Sequence, residues 1–209
     1  MELIDKETNR LNEILTEFLE FARIKHTSFS KVELNSLEAE VIEIVRKHPS
    51  YSEKIKIHKE IEVSPLYILG EENQIKQLLI NLMVNAIEAM QEMGGKLSIV
   101  NKSLEELESY YLEEGEERNK NWVPLAIADE GKGLSQEEKE KMFTPFYSTK
   151  KQGTGLGLPI VQRLVDSLNA HLEFKSTAGV GTTFVVYFQR YKPEKHISIE
   201  EFEISQTQL

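Results

Sequence analysis

Residues 71–95, EENQIKQLLINLMVNAIEAMQEMGG, give the strongest structural signal in this chain of 209 residues. Their apolar side chains recur at the spacings of three and four residues that place side chains on one face of an α-helix. The apolar positions are Ile75, Leu78, Leu79, Leu82, Met83, Ile87 and Met90. Gly94 and Gly95 then supply a stop signal, because glycine readily adopts the left-handed conformation that ends helices. We therefore predict a helix over 71–93.

The segments around this helix alternate between helix and strand patterns. We predict two further helices, over 36–48 and 158–168. Asn35 or Ser36 is the expected cap of the first, and Pro49 prevents it from continuing. Alternating or short apolar runs predict strands over 54–63, 66–69, 96–101, 123–128, 171–176 and 182–188. Together these elements predict an α+β fold of two layers, in which a mixed, largely antiparallel sheet carries helices on one face.

The N-terminal residues carry a different pattern, a heptad stripe. It consists of Ile4, Thr8, Leu11, Leu15, Phe18 and Ala22. A single helix cannot bury such a stripe by itself, so the stripe predicts packing on another helix, either within the chain or from a second copy. The alternative is an ordinary amphipathic helix that lies on the following domain. We predict a helix over 1–25, a hinge over 26–34, one main domain over 35–190 and an acidic tail over 191–209.

The composition excludes several classes of protein. A net charge of −10 and a pI near 5.1 argue against a broad basic face that binds nucleic acid phosphates. The absence of cysteine excludes disulfide scaffolds and thiolate metal sites, and it suits the reducing cytoplasm. No apolar run approaches the length that spans a bilayer. We expect a cytoplasmic domain without a membrane segment. The acidic stretch 103–122 is expected to be a solvated hairpin. The sequence does not decide whether the natural protein has a membrane anchor upstream.

Asn81 and Asn85 interrupt the apolar pattern of the long helix. They are four residues apart, so they share one face and lie one turn from each other. Amide oxygens are hard ligands that suit Mg²⁺. The alternative is that both side chains cap or hydrogen-bond nearby backbone groups. This signal alone does not separate the two interpretations.

A second polar signal, DEGKG at 129–133, follows a predicted strand. Its alternate glycines let the backbone approach a planar ligand, and Asp129 at the strand end can accept a hydrogen bond from an exocyclic amine such as that of adenine. A calcium loop of the EF-hand type is excluded, because Gly131 and Leu134 occupy positions that need an oxygen ligand and a glycine. A plain turn stays open.

Two glycine-rich stretches complete the set of polar signals. Residues 153–158, GTGLGL, directly precede a predicted helix, and free N–H groups at a helix start favour an anion such as a phosphate chain. They match neither the P-loop nor the dinucleotide pattern. Residues 179–184, GVGTTF, are typical of a tight turn into a strand, although their threonine hydroxyls could also reach a bound base.

In this order and at these intervals the four signals resemble the N, G1, G2 and G3 boxes of the ATP-binding catalytic domain of sensor histidine kinases, the Bergerat nucleotide fold. Residues 143–150, FTPFYSTK, resemble its F box and the start of a short lid. The resemblance covers 30–190, and 1–25, which contain LEFAR, resemble the second helix of the dimerisation and phosphoacceptor hairpin. NAIEAM at 85–90 and FYSTK at 146–150 are similar to the nitrogen-regulator and Bacillus sporulation kinases.

The resemblance implies roles for individual residues. Asn85 would be the principal Mg²⁺ ligand with Asn81 beside it, and Asp129 would hold the adenine amine. The glycines of DEGKG would floor the base pocket, those of GTGLGL would line the phosphates, and Thr182 would reach the adenine through water. The implied ATP-binding residues are Asn81, Asn85, Asp129, Gly131, Gly133, Lys150, Lys151, Gly153, Thr154, Gly155, Leu156, Gly157, Leu158 and Thr182.

Two departures from the family pattern matter. Many members carry a lysine and an aromatic residue where Glu88 and Ala89 stand, so the phosphate charge must be met elsewhere. Lys150 and Lys151 are the candidates, with simple solvation as the alternative. The family's phosphoacceptor histidine is followed by an acidic residue and then a proline, and none of the five histidines has that context. We expect the acceptor histidine, the first hairpin helix and the sensor to lie outside this chain.

Three functions follow from this reading of the sequence. The first is the catalytic part of a two-component histidine kinase, which binds Mg-ATP and transfers the γ-phosphate to a histidine outside this chain. Its implied partners are the phosphoacceptor hairpin, a response regulator and a second copy bound through the N-terminal helix. The second is a hydrolase of the same superfold, but those enzymes place a glutamate where Asn81 stands, and an amide cannot activate water. The third is a nucleotide-binding interaction module without phosphoryl transfer.

Overall fold

The computed structural model describes residues 28–61, 65–102, 121–150 and 153–193, together with four residues near the N-terminus, Thr8, Leu11, Leu15 and Leu19. In chain order the elements are β1 (Ser30–Glu33), α1 (Leu34–Arg46), β2 (Ile55–Ile61), β3 (Tyr67–Gly70), α2 (Glu72–Ala89), β4 (Gly95–Asn101), β5 (Trp122–Asp129), α3 (Gln136–Lys141), α4 (Gly157–Ser167), β6 (His171–Thr177) and β7 (Gly181–Gln189).

Five strands form one layer, in the order β2-β4-β5-β7-β6. Strand β2 runs parallel to β4, with Ile55 opposite Gly95, and every other neighbouring pair in this sheet is antiparallel. Strands β1 and β3 form a small antiparallel sheet, which a bridge between Ile68 and Arg190 connects to the segment after β7. The predicted α+β fold with a mixed, largely antiparallel sheet is therefore confirmed.

Helix α2 is the centre of the helical layer, where it contacts α1, α4 and the sheet. Its inward side chains, which include Leu78, Leu79 and Met83, are fully buried against inward residues of the central strands. Burying one such side chain contributes about 1.5–3 kcal/mol, so this stripe fixes the rotation of the helix. As a result the half-buried Asn81 and Asn85 occupy a defined position beside α4.

The ends of two helices differ from the sequence prediction. Helix α1 begins at Leu34 because Glu33, rather than Asn35 or Ser36, is its N-cap. The Glu33 carboxylate accepts the N–H groups of Asn35 at 3.1 Å and Ser36 at 2.8 Å. Helix α2 ends at Ala89, four residues before the predicted end at 93. The chain then turns, and the N–H of Gly94, whose φ is 76°, donates to the carbonyl oxygen of Met90 at 2.7 Å.

Two elements were not predicted. Strand β1 lies within the segment interpreted as a hinge, and α3 lies within a polar segment without an apolar period. Helix α3 begins at a capping box, in which Ser135 and Glu138 each accept the other's backbone N–H. Such a box starts a helix without help from an apolar stripe.

Several predicted segments lie outside the described residues. These are 103–120 of the acidic stretch, the tail from 194 onward and most of 1–27. The interpretations given to them stay predictions. In the part of the chain that the structure does describe, no helix is long and apolar enough to cross a membrane.

Candidate functional site

Asp129, the last residue of β5, has a carboxylate that the backbone holds in place. Its Oδ1 accepts the N–H groups of Gly131 at 2.8 Å and Thr182 at 3.3 Å. Burial raises the pKa of this carboxyl to about 6, although the two hydrogen bonds and the positive charge of Lys150 act in the opposite direction. Neither bond uses Oδ2. That oxygen can therefore accept a hydrogen bond from a ligand while the carboxylate stays fixed, which suits the predicted contact with an amine.

The two glycines that follow Asp129 lie where a side chain does not fit. A Cβ on Gly131 would lie 2.7 Å from Asp129 Oδ1 and 2.8 Å from the Cβ of Ala89. Gly133 has a φ of 63°, and a Cβ there would lie 2.0 Å from the carbonyl oxygen of Thr177. The loop is thus packed between the end of α2 and the turn from β6 to β7. These glycines have a packing role beside their predicted contact with a planar base.

Thr182 contacts Asp129 through its backbone, not through its hydroxyl. The buried hydroxyl lies 2.9 Å from that of Ser176. Ser176 Oγ also accepts the N–H of Leu134 at 2.9 Å and donates to the carbonyl oxygen of Gly181 at 3.1 Å. Ser176 therefore joins the DEGKG loop to the next turn. No local sequence pattern marks Ser176, because its pairing with Thr182 follows from the register of β6 and β7.

The two asparagines lie on the face of α2 that meets the start of α4. Asn81 Nδ2 donates to the carbonyl oxygen of Gln77 at 2.9 Å, which is the local backbone contact of the alternative interpretation. A Cβ on Gly157 would lie 3.4 Å from both Asn81 Oδ1 and Asn85 Nδ2. Asn85 Nδ2 is buried and has no hydrogen-bond partner in the described part of the chain. Both amides therefore face backbone at Gly157 and keep capacity for a ligand.

Lys150 reaches the same face of α2 from the segment before GTGLGL. Its Nζ donates to Asn85 Oδ1 at 3.0 Å and forms an ion pair with Glu88. The positions of Asn81, Asn85 and Glu88 follow the i, i+4, i+7 spacing, which is the signal that places Glu88 at the site. Lys150 was a predicted site residue, whereas its contact with Glu88 was not predicted. Lys151, the other candidate, lies outside the described residues.

The start of α4 has no side-chain cap. Leu156 occupies the N-cap position and makes no side-chain cap hydrogen bond. Pro159 has no N–H, so the donors of the first turn are the N–H groups of Gly157 and Leu158. These groups are therefore available to an anion. Gly155 precedes them with a φ of 72°, and its carbonyl oxygen accepts the N–H of Phe146 at 3.0 Å. This bond fastens GTGLGL to the segment that resembles the F box.

The remaining residues of GTGLGL have structural contacts. Leu156 is fully buried, and Leu158 packs against the core, so both anchor the stretch by their side chains. Thr154 Oγ1 accepts the N–H of Leu156 at 3.3 Å, and the N–H of Gly153 donates to the carbonyl oxygen of Lys150 at 3.3 Å. The N–H groups of Gly153 and Leu156 are therefore already engaged within the chain, and a phosphate would be bound by other N–H groups of this stretch.

The donor set fits a magnesium ion held by few protein ligands. No group of three or more His, Cys, Asp and Glu side chains that could hold a metal occurs among the residues that the structure places. The side-chain oxygens of Asn81 and Asn85 are hard ligands, and magnesium commonly takes only one or two protein oxygens plus water and phosphate. The ammonium on Asn85 Oδ1 shows that this oxygen accepts a cation.

The described histidines have structural partners. His48 Nδ1 accepts the N–H of Ser50 at 3.2 Å, His58 lies 2.8 Å from a carboxylate oxygen of Glu60, and the His171 ring lies 4.4 Å from that of Trp122. His26 and His196 lie outside the described residues. An acceptor histidine outside this chain stays a prediction.

Comparison with known families identifies the nucleotide-binding fold of this chain. Residues 70–192 match the family described as histidine kinase-, DNA gyrase B- and HSP90-like ATPases. The chain belongs to this ATPase family. The match runs from the last residue of β3 to just beyond β7, so it contains all four glycine or asparagine motifs. The resemblance that those motifs indicated is therefore confirmed.

Curated relatives of this ATPase-family chain carry kinase names. Sporulation kinase C of Bacillus subtilis is 33% identical over 186 residues, which cover 88% of this chain and 40% of the relative. Sensor histidine kinase ZraS of Klebsiella oxytoca is 30% identical over 182 residues, with coverage of 87% and 36%. The chain thus spans less than half the length of either relative.

Solved structures of kinases share the fold. The catalytic domain of histidine kinase ThkA is 30% identical with a TM-score of 0.61, and the match covers 78% of this chain and 97% of that domain. Full-length ShkA in complex with AMPPNP has a TM-score of 0.70 at 22% identity, over 90% of this chain and 38% of ShkA. The first match covers nearly all of an isolated catalytic domain, and the second concerns the fold alone.

Proposed function

We propose that this chain binds Mg-ATP and forms the catalytic part of a two-component sensor histidine kinase. The observation that carries the proposal is a site with two chemically different ends. At one end backbone N–H groups fix the Asp129 carboxylate, and at the other Asn85 and Glu88 hold the Lys150 ammonium. A fixed carboxylate suits the adenine amine, whereas amide oxygens and a lysine suit a magnesium ion and phosphates.

The nucleotide would lie between these ends. Gly131 and Gly133 would floor the adenine pocket, and the uncapped N–H groups at the start of α4 would bind phosphate oxygens. Asn85, with Asn81 beside it, would hold the magnesium ion, which when bound neutralises phosphate charge and orients the γ-phosphate. Lys150 supplies a positive charge near the phosphates, because position 88 of α2 holds a glutamate and not the lysine that many family members carry there.

Transfer to a histidine is favoured over hydrolysis by Asn81. Hydrolases of this superfold carry a glutamate at that position, and an amide has no basic lone pair with which to activate water. The Asn81 amide nitrogen also donates a hydrogen bond to the carbonyl oxygen of Gln77. The γ-phosphate would therefore be transferred to a histidine on the phosphoacceptor hairpin. From there it would pass to a response regulator, in the cytoplasm.

The fate of labelled phosphate tests the proposal. Incubated alone with γ-labelled Mg-ATP, the chain should hydrolyse it slowly and gain no acid-labile label. Given a separate hairpin domain that carries an acceptor histidine, it should label that hairpin. The reaction should be slower than in a continuous chain, because a tether supplies an effective concentration of the order of millimolar.

Three outcomes contradict the proposal. Release of label mainly to water identifies a hydrolase, and binding without any turnover identifies an interaction module. Acid-labile label on the isolated chain shows that one of its own five histidines is the acceptor.

A further inference from the structure

A lysine ammonium lies between two oxygen-bearing side chains of α2. Lys150 Nζ donates to Asn85 Oδ1 at 3.0 Å and is paired with Glu88 Oε2. Asn85 and Glu88 are three residues apart on one helical face, so their oxygens converge on one cation. The lysine and glutamate side chains are 35% and 28% exposed, which leaves the pair reachable from solvent.

An ammonium and a hydrated magnesium ion favour the same kind of oxygen. Both are compact cations that bind carboxylate and amide oxygens, and two like charges on the same pair of oxygens repel each other strongly. If a magnesium ion binds Asn85, the Lys150 ammonium must leave that oxygen. The Glu88 carboxylate then faces the metal, and Lys150 becomes free to contact the phosphates.

We propose that Glu88 is a further residue of the metal site and that Lys150 is an internal cation which the metal displaces. The inference rests on the proposed function, because it takes the metal to arrive on Asn85 with the nucleotide. It explains why a carboxylate occupies position 88 beside the phosphates: its negative charge serves one cation in the free chain and another in the complex. It also identifies Lys150, once the metal has displaced it, as the lysine that contacts the phosphates.

The affinity for a non-hydrolysable ATP analogue, measured by calorimetry in excess EDTA and in excess Mg²⁺, tests the role of Glu88. The ratio of the two dissociation constants is the enhancement by metal. Glu88→Gln should lower this ratio about tenfold, the factor that corresponds to about 1.4 kcal/mol. It should not weaken binding in EDTA, because Lys150 has then lost its ion pair with the carboxylate and can turn to the phosphates.

Binding of Mn²⁺ without nucleotide, followed by the electron paramagnetic resonance signal of the free ion, tests the role of Lys150. Lys150→Met removes the competing ammonium and leaves both oxygens in place. Its affinity for Mn²⁺ should exceed that of the unmodified chain about tenfold. Glu40→Gln is the matched control, because it breaks another ion pair of α2, that of Glu40 with Lys76. It should change neither readout.

The two results that overturn the inference are an unchanged metal enhancement in Glu88→Gln and Mn²⁺ binding to Lys150→Met no tighter than to the unmodified chain. Asn85→Ala separates this failure from failure of the proposed function. If Asn85→Ala abolishes the enhancement while Glu88→Gln does not, only the inference on Glu88 is wrong. If Asn85→Ala also keeps the enhancement, the metal is not bound here and the proposed function fails.

Discussion

The carboxyl of Asp129 is subject to two opposing effects. Hydrogen bonds from Gly131 and Thr182 favour its ionised form, whereas burial disfavours that form more strongly and raises the pKa to about 6. A group with this pKa changes charge just below neutral pH. The carboxyl of a solvent-exposed aspartate would stay ionised just below neutral pH.

Nucleotide affinity should therefore fall about tenfold between pH 7 and pH 5 as Asp129 takes up a proton and its Oδ2 no longer serves as an acceptor. The effect on stability has the opposite sign. Because the pKa is higher in the folded chain than in the unfolded chain, protonation below pH 6 removes the cost of burying the charge and increases the free energy of unfolding.

Calorimetric titrations with ATP across this range check the prediction. Asp129→Asn is the control, since it removes the titration of residue 129 and keeps that of every other group in the chain and in ATP. A pH profile of the unmodified chain that parallels that of Asp129→Asn would remove Asp129 from the adenine contact.

Among the elements, α2 was predicted from sequence and the cap of α1 was not. Helix α3 was missed, although its capping box, Ser135 followed three residues later by Glu138, is a local sequence signal. Helix α2 has a long apolar stripe, and the packing of that stripe determines the helix. Helix α3 depends instead on the capping box of Ser135 and Glu138, and α1 on a glutamate cap that also accepts the N–H of Leu66 at 3.3 Å. The contact with Leu66 joins positions 33 residues apart, and no local pattern contains it.

The candidate site shows the same division. Each motif is local, so its order and spacing were enough to indicate a nucleotide fold. The contact of Lys150 with Glu88 joins residues 62 positions apart, and the Ser176–Thr182 pair requires the strand register. The sequence therefore indicated which chemical groups are present, and the fold determined which of them meet.

The turn between β6 and β7 provides a test of how tightly the DEGKG loop is packed. Gly179 and Gly181 both have positive φ, at 78° and 143°. A Cβ on Gly181 would lie 2.0 Å from the carbonyl oxygen of Asp129, whereas one on Gly179 would meet nothing within 4 Å. Gly179→Ala should cost about 1–2 kcal/mol from backbone strain alone. Gly181→Ala should cost more than about 3 kcal/mol and also weaken nucleotide binding.

Urea denaturation of the two variants measures the difference. Equal losses of stability would mean that the backbone of Asp129 yields easily to the added methyl group. The loop would then not be the rigid support that we propose for the base.

On the scale of the whole molecule, an apolar stripe near the N-terminus has no partner that the described residues show. Leu11, Leu15 and Leu19 are helical and 65%, 55% and 54% exposed. Three leucines on one side of a helix favour association, since each would bury apolar surface worth about 25 cal/mol per Å².

We expect the chain to self-associate through the predicted heptad stripe, to which Leu11 and Leu15 belong and beside which Leu19 lies. The double variant Leu11→Glu with Leu15→Glu should be monomeric in sedimentation experiments and still bind nucleotide. Met93→Glu, at another exposed apolar residue that is 67% exposed, is the control and should leave association unchanged. A monomeric unmodified chain at the concentrations used would contradict the expectation.

Asp129 and Asn85 are proposed to serve opposite ends of one Mg-ATP site. Calorimetric titration of ATP, with and without Mg²⁺, tests this claim most directly in the unmodified chain and in two variants. Asp129→Asn should weaken binding by about the same factor in both conditions, because the adenine contact does not involve the metal. Asn85→Ala should weaken binding only when Mg²⁺ is present, by tenfold or more, which corresponds to about 1.4 kcal/mol. Unchanged affinity of both variants under both conditions would contradict the account.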